Sequence, residues 1–229
     1  MASIKFGNIV VAMAGKVAGN IYSKNKGGAY SRTWVKPTNP RTTKQLAVRN
    51  TLSGLSQAWR GLTQSARNAW AAATANFTTT NRMAETIKLS GNALYVSLNK
   101  NLADVNIAAI NVAPAPASVG YLTSLVATAD NSSNSLSLAI VGIDLTNTAF
   151  KVFATPSLSA GKASAGTDYR QIGYTAVNPT TPFVATTLYN NTFGNIGGVG
   201  TKIFVKLVPV NTLTGQMGTP IEAVAVVVV

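Results

Sequence analysis

Cysteine and histidine are both absent from this chain of 229 residues. Without cysteine the chain forms no disulfide and carries no thiolate, which argues against a small disulfide-stapled secreted module. Without histidine it lacks the side chain best suited to proton transfer near neutral pH and the commonest metal ligand. The six acidic residues are scattered, with no close pair for acid–base catalysis and no cluster for a hard metal ion. We therefore expect a protein that is not an enzyme and that binds no cofactor or metal.

One feature resembles a functional motif but does not change this expectation. Four glycines between Gly194 and Gly200 suggest a phosphate-binding loop, but such a loop needs a following helix, and the sequence predicts a strand there. A Ser–Lys catalytic pair remains an alternative, although no motif marks one.

Acidic residues are almost missing from the first 100 residues, where Glu85 stands alone against fourteen lysines and arginines. The net charge of this segment is +13, equal to that of the whole chain, because residues 101–229 carry five bases and five acids. A uniformly basic segment seeks polyanions or acidic protein surfaces, whereas a neutral segment rich in Val, Ala, Thr and Gly mostly packs. The two halves are therefore expected to have different roles.

Charged residues of both signs are scarce. They make up 11% of the chain, against about 25% in ordinary soluble domains. A surface so poor in charge favours burial against neighbouring chains, as in a homo-oligomer or a multi-copy assembly. The alternative is a free monomeric β-domain whose surface is rich in Ser, Thr and Asn.

The N-terminal region begins with predicted strands. The apolar run Ile9–Gly15 is too short to span a membrane and is followed at once by Lys16, so we interpret it as a strand and not as a signal-peptide core. Residues 16–36 predict a β-hairpin with its turn at Asn25-Lys26-Gly27-Gly28, because glycine tolerates the positive φ of tight turns.

Three helices are predicted from apolar spacing and capping signals. The first follows Pro40, the second begins near Thr63, and the third runs from Gly91 to Ala103 after a Ser90 cap. The first two are expected to face each other as a helical hairpin, and residues 78–90 are expected to be irregular. The apolar stripes are Val48, Leu52, Leu55, Trp59 and Leu62; then Ala66, Trp70, Ala73 and Phe77; and finally Leu94, Leu98 and Leu102.

From Val119 onward the pattern changes to short alternating strands. About seven strands, with turn residues between them, indicate an antiparallel β-sandwich, and Pro114 and Pro116 mark a linker before it. The predicted fold class is α+β: a basic hairpin-plus-helices anchoring region at residues 1–113 and a β-sandwich domain at residues 114–229. The alternating sets are Leu136, Leu138 and Ile140; Phe150, Val152 and Ala154; and Ile203, Val205 and Leu207, before a closing strand at 223–229.

The basic hairpin and the first two helices form the candidate binding region. Cations interleaved with Tyr22, Tyr30 and Trp34 suit a nucleic-acid backbone together with base stacking. The alternative is that the aromatic residues pack on the helices, and for Trp34, Trp59 and Trp70 we favour this core role. The candidate residues for contact with an anionic partner are Lys16, Lys24, Lys26, Arg32, Lys36, Arg41, Lys44, Arg49, Arg60 and Arg67.

A series of motifs with fixed spacing runs from the hairpin into the helices. A Gly-rich hairpin (Gly15 to Gly28) precedes Asn39-Pro40-Arg41-Thr42, Gln45 and Arg49, and these precede Trp59, Leu62-Thr63, Arg67 and Trp70. Over residues 15–75 this order resembles small uncharacterised proteins of bacteriophages, prophages and Bacteroidetes-type bacteria, generally regarded as virion or mobile-element proteins without a defined activity. The second half resembles, in strand pattern, the fibronectin-type or immunoglobulin-like sandwiches appended to phage capsid and tail proteins. The resemblance implies a virion role and brings no catalytic residues.

The expected function is that of a bacteriophage virion structural protein, such as a minor capsid, head-decoration or tail component. It is expected in the virion, after assembly in the host cytoplasm. Expected partners are other virion proteins and further copies of the chain, with packaged nucleic acid as a further candidate and no membrane. Two alternatives remain: a nucleic-acid-binding protein that uses the basic N-terminal half, and a surface adhesive β-module.

Overall fold

The structure, a computed structural model, describes residues 2–7, 10–25, 27–179 and 181–229. Over these residues the chain forms four helices and a large curled sheet, so the fold is a mixture of α and β structure. No helix in the described part of the chain is long and apolar enough to cross a membrane.

The chain divides into two compact units. The first consists of Met1–Val96 with Asn111–Ala113, and the second of Ser97–Ile110 with Pro114–Val229. Residues 97–110 thus group with the C-terminal strands, whereas the sequence analysis assigns them to the N-terminal region. The domain boundary after residue 113 stays a prediction.

The first unit begins with a four-stranded antiparallel sheet in the order β1-β4-β3-β2. β3 and β4 form the predicted hairpin, in which Asn25 pairs with Gly28 and the Asn25 Oδ1 accepts a hydrogen bond from Gly27 N at 2.8 Å. Lys26, the second residue of the predicted turn, lies outside the described residues. The strands are β1 (Ala2–Ile4), β2 (Gly15–Val17), β3 (Asn20–Asn25) and β4 (Gly28–Thr33).

The strand predicted over Ile9–Gly15 is wrong for the residues that the structure describes. Residues 10–14 belong to no strand and Val11 is 87% exposed, while Ile9 lies outside the described residues. The strand begins instead at Gly15, which pairs with Tyr22 and has a φ of 109°, a conformation that glycine tolerates. Residues 10–14 have no strand partner, and a strand needs a partner as well as apolar side chains.

Two helices, α1 (Thr43–Gly61) and α2 (Gln64–Ala73), confirm the helices predicted here. Thr42 and Thr63 cap them, and each hydroxyl accepts a hydrogen bond from a backbone N–H of the first turn at 3.3 Å. Leu62 has an extended conformation and ends α1.

Only the C-terminal half of the α1 apolar stripe is packed. Leu55 is buried and the Trp59 ring lies 5.5 Å from the Tyr95 ring, whereas Val48 and Leu52 are 54% and 51% exposed. The expectation of one continuous packed stripe is therefore wrong for the first half of α1. Apolar spacing identifies the face of a helix that is suited to packing, but not how far the neighbouring element extends along it.

Trp70 belongs to the core of the first unit. It is fully buried, its ring meets the Tyr95 ring edge-on at 5.2 Å, and its Nε1 donates to Asn111 O at 2.9 Å. This bond satisfies the one polar atom of the indole and ties residues 111–113 to the first unit. Trp70 is thus a core residue, as predicted.

A short hairpin occupies much of the segment predicted to be irregular, residues 78–90. β5 (Thr78–Thr80) pairs with β6 (Thr86–Lys88), and the Asn81 Oδ1 accepts two backbone hydrogen bonds in the turn between them. The expectation was wrong because it rests on polarity alone, whereas the β-branched side chain of threonine suits a strand.

α3 (Gly91–Asp104) follows the predicted Ser90 cap, whose hydroxyl accepts a hydrogen bond from Ala93 N at 3.2 Å. Its three spaced leucines are buried, as the periodicity predicts. The boundary between the two units falls inside this helix, after Val96.

The second unit is built on one seven-stranded sheet in the order β10-β9-β12-β13-β7-β8-β11. Neighbouring strands are antiparallel except β13 and β7, which are parallel. Residues from all seven strands, including every member of the predicted alternating sets, pack into a single core, so the sheet curls around it. The strands are β7 (Tyr121–Asp130), β8 (Ser135–Ile143), β9 (Thr148–Ala154), β10 (Arg170–Tyr174), β11 (Phe183–Val184), β12 (Lys202–Asn211) and β13 (Ile221–Val228).

α4 (Thr186–Phe193) lies between β11 and β12 and is missing from the sequence prediction. It has no side-chain cap, and threonine and asparagine make up five of its eight residues, so neither capping nor apolar spacing marks it. Its Tyr189 is buried in the core, with the hydroxyl 3.2 Å from Ser157 Oγ.

The C-terminal part of α3 is attached to the sheet of the second unit by polar groups. Asn101 Nδ2 donates to Gly215 O at 2.9 Å, and the ammonium group of Lys151 lies 2.9 Å from the Asp104 carboxylate. Gly215 has a φ of 75°, and a Cβ on it would lie 2.3 Å from Leu98 O. Only glycine fits this approach between helix and turn.

Gly215→Ala should therefore destabilise the second unit by about 3 kcal/mol, because left-handed strain and a backbone clash act together. Gly198→Ala is the matched control, since a Cβ on Gly198 meets no atom within 4 Å. Guanidinium chloride unfolding followed by far-UV circular dichroism measures both variants. Equal stability of the two would contradict the close packing of α3 on the turn at residue 215.

Candidate anion-binding surface

The nine predicted contact residues that the structure describes all belong to the first unit. Lys26 lies outside the described residues, and Arg67 is half-buried, with its guanidinium donating to Arg60 O. The other eight are exposed: Lys16 on β2, Lys24 on β3, Arg32 on β4, Lys36 and Arg41 between β4 and α1, and Lys44, Arg49 and Arg60 on α1. The structure thus places these cations at the surface without gathering them into a single pocket.

The single acid of this region does not neutralise the candidate residues. Glu85 forms an ion pair with Lys5, and the hydrogen bond from Lys5 holds the pKa of Glu85 below its ordinary value. Among the described residues, the nine candidate cations form no ion pair. Their charge is therefore available to an external anion.

One face of the N-terminal sheet combines cations with an exposed aromatic ring. Lys16 pairs with Ile21, and Ile21 pairs with Arg32, so these side chains project from the same face. The Lys16 Nζ lies 4.0 Å from the centre of the Trp34 ring, which places the indole on this face too. We call Lys16, Arg32 and Trp34 the cation–indole face; Lys24 projects from the opposite side of the sheet.

Trp34 is not a core residue, and the prediction that it is one is wrong. Its side chain is 52% exposed, and its backbone N–H donates to Gly19 O at 2.7 Å just beyond the end of β4. Trp59 is intermediate between Trp34 and the fully buried Trp70. Trp59 and Trp70 belong to apolar stripes of predicted helices, whereas Trp34 does not. This difference in the sequence distinguishes the exposed tryptophan from the two that pack.

A second group of cations lies on the first half of α1. Lys44, Gln45, Val48 and Arg49 line a shallow, open depression beside the exposed Leu52. Ammonium and guanidinium groups bind phosphate or carboxylate, and the adjacent apolar side chains offer area for packing. This surface therefore suits an anionic partner that also presents apolar groups.

Sequence reasoning missed an apolar surface on the second unit. The outer faces of β7, β8 and β13 carry five valines that are between 43% and 56% exposed. The one acid on the outer face of β13, Glu222, is paired with Lys206 at 3.1 Å. The signal was present, since residues 223–229 are apolar at every position and so supply both faces of a strand. We call this the exposed valine surface: Val126, Val141, Val224, Val226 and Val228.

The described residues bring together no group of three or more His, Cys, Asp or Glu side chains that could hold a metal ion. The side chains of the candidate surface offer point charge, guanidinium hydrogen bonding and ring stacking. All three act in binding.

Comparison with known proteins finds a distant structural similarity. No protein-family model matches the chain, and no curated protein matches it. The crystal structure of a Fn3-like protein from Clostridium thermocellum is 20% identical and covers 48% of this chain and 96% of that chain, with a TM-score of 0.31. The sheet-rich C-terminal part fits the fibronectin-like expectation, and the bacteriophage resemblance stays a prediction.

Iodide quenching of tryptophan fluorescence tests the placement of Trp34. Because this indole is exposed beside Lys16, iodide should quench it preferentially, and Trp34→Phe should remove most of the quenchable emission. Lys16→Gln should lower quenching by iodide more than quenching by neutral acrylamide. Iodide quenching that is unchanged in Trp34→Phe would show that the Trp34 ring is buried and not exposed.

Proposed function

We propose that this protein is a bacteriophage virion structural protein, a minor capsid, head-decoration or tail component, that acts by binding and assembly and not as an enzyme. The observation that carries the proposal is the separation of two surfaces along one chain. The first unit presents exposed cations without ion-pair partners among the described residues, and the second presents exposed valines. The motif order over residues 15–75 adds the bacteriophage context.

In this proposal the two surfaces have different partners. The cations of the first unit dock on an anionic surface of the particle, and the exposed valine surface packs against a neighbouring virion protein or another copy of the chain. Each half-exposed valine that becomes fully buried in such an interface contributes about 1 kcal/mol. Several of them together hold a subunit in place without any charged contact.

The proposal includes a fibronectin-type or immunoglobulin-like sandwich for the second unit. β13 and β7 are joined by two residue pairs only, Val227 with Ala129 and Val228 with Asp130. The curled sheet therefore nearly separates there into a three-stranded layer, β7-β8-β11, and a four-stranded layer, β10-β9-β12-β13. Both layers contribute to the same core, and this supports the proposed sandwich, in which two layers of strands pack over one core.

Protein mass spectrometry of nuclease-treated, density-purified particles tests the virion role. A tagged copy of the chain should be recovered in the particles in several copies, and Val226→Lys should reduce its incorporation at least about tenfold, because a buried unpaired charge opposes packing. Ser164→Lys, which adds the same charge in an exposed loop, is the matched control. Absence of the unaltered chain from the particles would overturn the proposal.

A second candidate function, nucleic-acid binding, is favoured by the cation–indole face. An exposed indole with the Lys16 Nζ 4.0 Å from its ring centre, and with Arg32 on the same face of the sheet, can stack on a base while the cations contact phosphates. Packaged nucleic acid would then be the anionic partner of the first unit.

Binding of the full chain to a single-stranded oligonucleotide across a salt series tests this second function. Affinity should fall with salt by counterion release, and Trp34→Ala should lower it about tenfold through loss of stacking. Lys16→Gln should reduce the salt slope, whereas the control Lys162→Gln, at an exposed lysine of the second unit that is paired with Asp168, should leave it unchanged. Equal effects of the two lysine changes, or no binding at physiological salt, would contradict this function and point to an acidic protein partner.

A further inference from the structure

A lysine occupies the interior of the second unit. Lys151 lies in the middle of β9, between the buried Phe150 and Val152, and its side chain is only 7% exposed. An ammonium group in such a place needs close polar partners. Its Nζ lies 2.9 Å from Asp104 Oδ2 and 3.0 Å from Asn101 Oδ1.

These two partners come from one face of α3, because Asn101 and Asp104 are three residues apart. The carboxamide of Asn101 is held in one orientation: its Nδ2 donates to Gly215 O at 2.9 Å, and its Oδ1 faces the lysine. Met217 Sδ lies 3.8 Å from the Lys151 Nζ. An amine and a carboxamide that are both buried are therefore held in contact with a carboxylate whose side chain is 20% exposed.

The charges around Asp104 are unbalanced. Lys100, one turn earlier on α3, pairs with the other carboxylate oxygen, so two ammonium groups share one carboxylate. Of the two, Lys100 is the more exposed and Lys151 is almost completely buried. A reaction that removed the charge of Lys151 would leave Lys100 and Asp104 as a balanced ion pair.

We propose that Lys151 and Asn101 join in an intramolecular isopeptide bond. The Lys151 Nζ attacks Asn101 Cγ, so that an Nζ–Cγ bond forms and the Cγ–Nδ2 bond breaks. The lysine ammonium gives up two protons, the departing nitrogen gains both, and it leaves as an ammonium ion. No oxidant or reductant takes part.

Asp104 is the group that carries the protons. Its carboxylate contacts the lysine nitrogen, so it accepts a proton from the amine and returns it to the departing nitrogen as a general acid. Proximity lowers the rest of the activation barrier, because the amine and the carboxamide are already in contact in the folded chain. The reaction occurs once in each chain and closes a covalent loop between α3 and β9.

Intact-mass spectrometry of the denatured full chain tests whether the isopeptide bond forms. The mass should be lower than that of the sequence by one ammonia molecule, and a tryptic digest should contain a branched peptide that joins Asn101 to Lys151. An asparagine succinimide loses the same mass but gives no branched peptide.

Variants of the full chain assign the roles. Lys151→Arg keeps the positive charge but lacks the nucleophilic amine, so its mass should be that of its sequence. Asp104→Ala should slow or abolish the loss of ammonia, while Lys162→Arg, an exposed lysine paired with Asp168, should retain it as the matched control.

The result does not depend on whether a variant folds, because the unaltered chain alone decides it. A full unmodified mass after prolonged incubation of the folded chain at neutral pH would overturn the proposal and leave Lys151, Asn101 and Asp104 as a non-covalent contact. A mass loss that persists in Lys151→Arg would overturn it as well. Neither outcome affects the proposed virion role, which depends on the outer surfaces.

Discussion

The ammonium group of Lys151 lies inside the second unit, and its burial has to be compensated by polar groups close to it. Asp104 and Asn101 provide that compensation, and both belong to α3. If this part of α3 moved away, a buried charge would lose its partners, and losing one partner of a buried pair costs about 3–5 kcal/mol. Residues 97–110 are therefore part of the second unit, although the first strand of that unit, β7, begins only at Tyr121.

The same neighbourhood shows how backbone and side-chain constraints reinforce each other. The Gly215 carbonyl receives the Asn101 amide, and the Gly215 Cα approaches Leu98 O so closely that no side chain fits there. Farther along, Asn99 both donates to Ile110 O and accepts from Ile110 N, which holds the end of the 105–110 segment against the helix. A helix end, a tight turn and a following loop are thus fixed by a few polar side chains.

Sequence patterns predicted the elements better than their environments. The spacing of Leu55 and Trp70 located α1 and α2, and alternation located β9, but it assigned only Phe150, Val152 and Ala154 to the core. Lys151 is also buried, because α3 packs on the other face of β9. Burial of this kind depends on which distant segment covers a strand, and local periodicity does not contain that information. The charge of the candidate site could be counted from the sequence, whereas the side of the sheet that each cation occupies depends on strand register.

Charge and apolar area act over different distances, and this gives the two proposed surfaces different tasks. Electrostatic attraction of the first unit reaches about 8 Å at physiological ionic strength and weakens as salt rises, so it governs the rate of encounter. The exposed valine surface acts only in contact and is not weakened by salt, so it governs the rate of dissociation. A subunit that used charge alone would leave its site when the ionic strength rose. One that used valines alone would dock on any apolar surface. In the proposed function, the presence of both surfaces on one chain would combine selective encounter with slow dissociation.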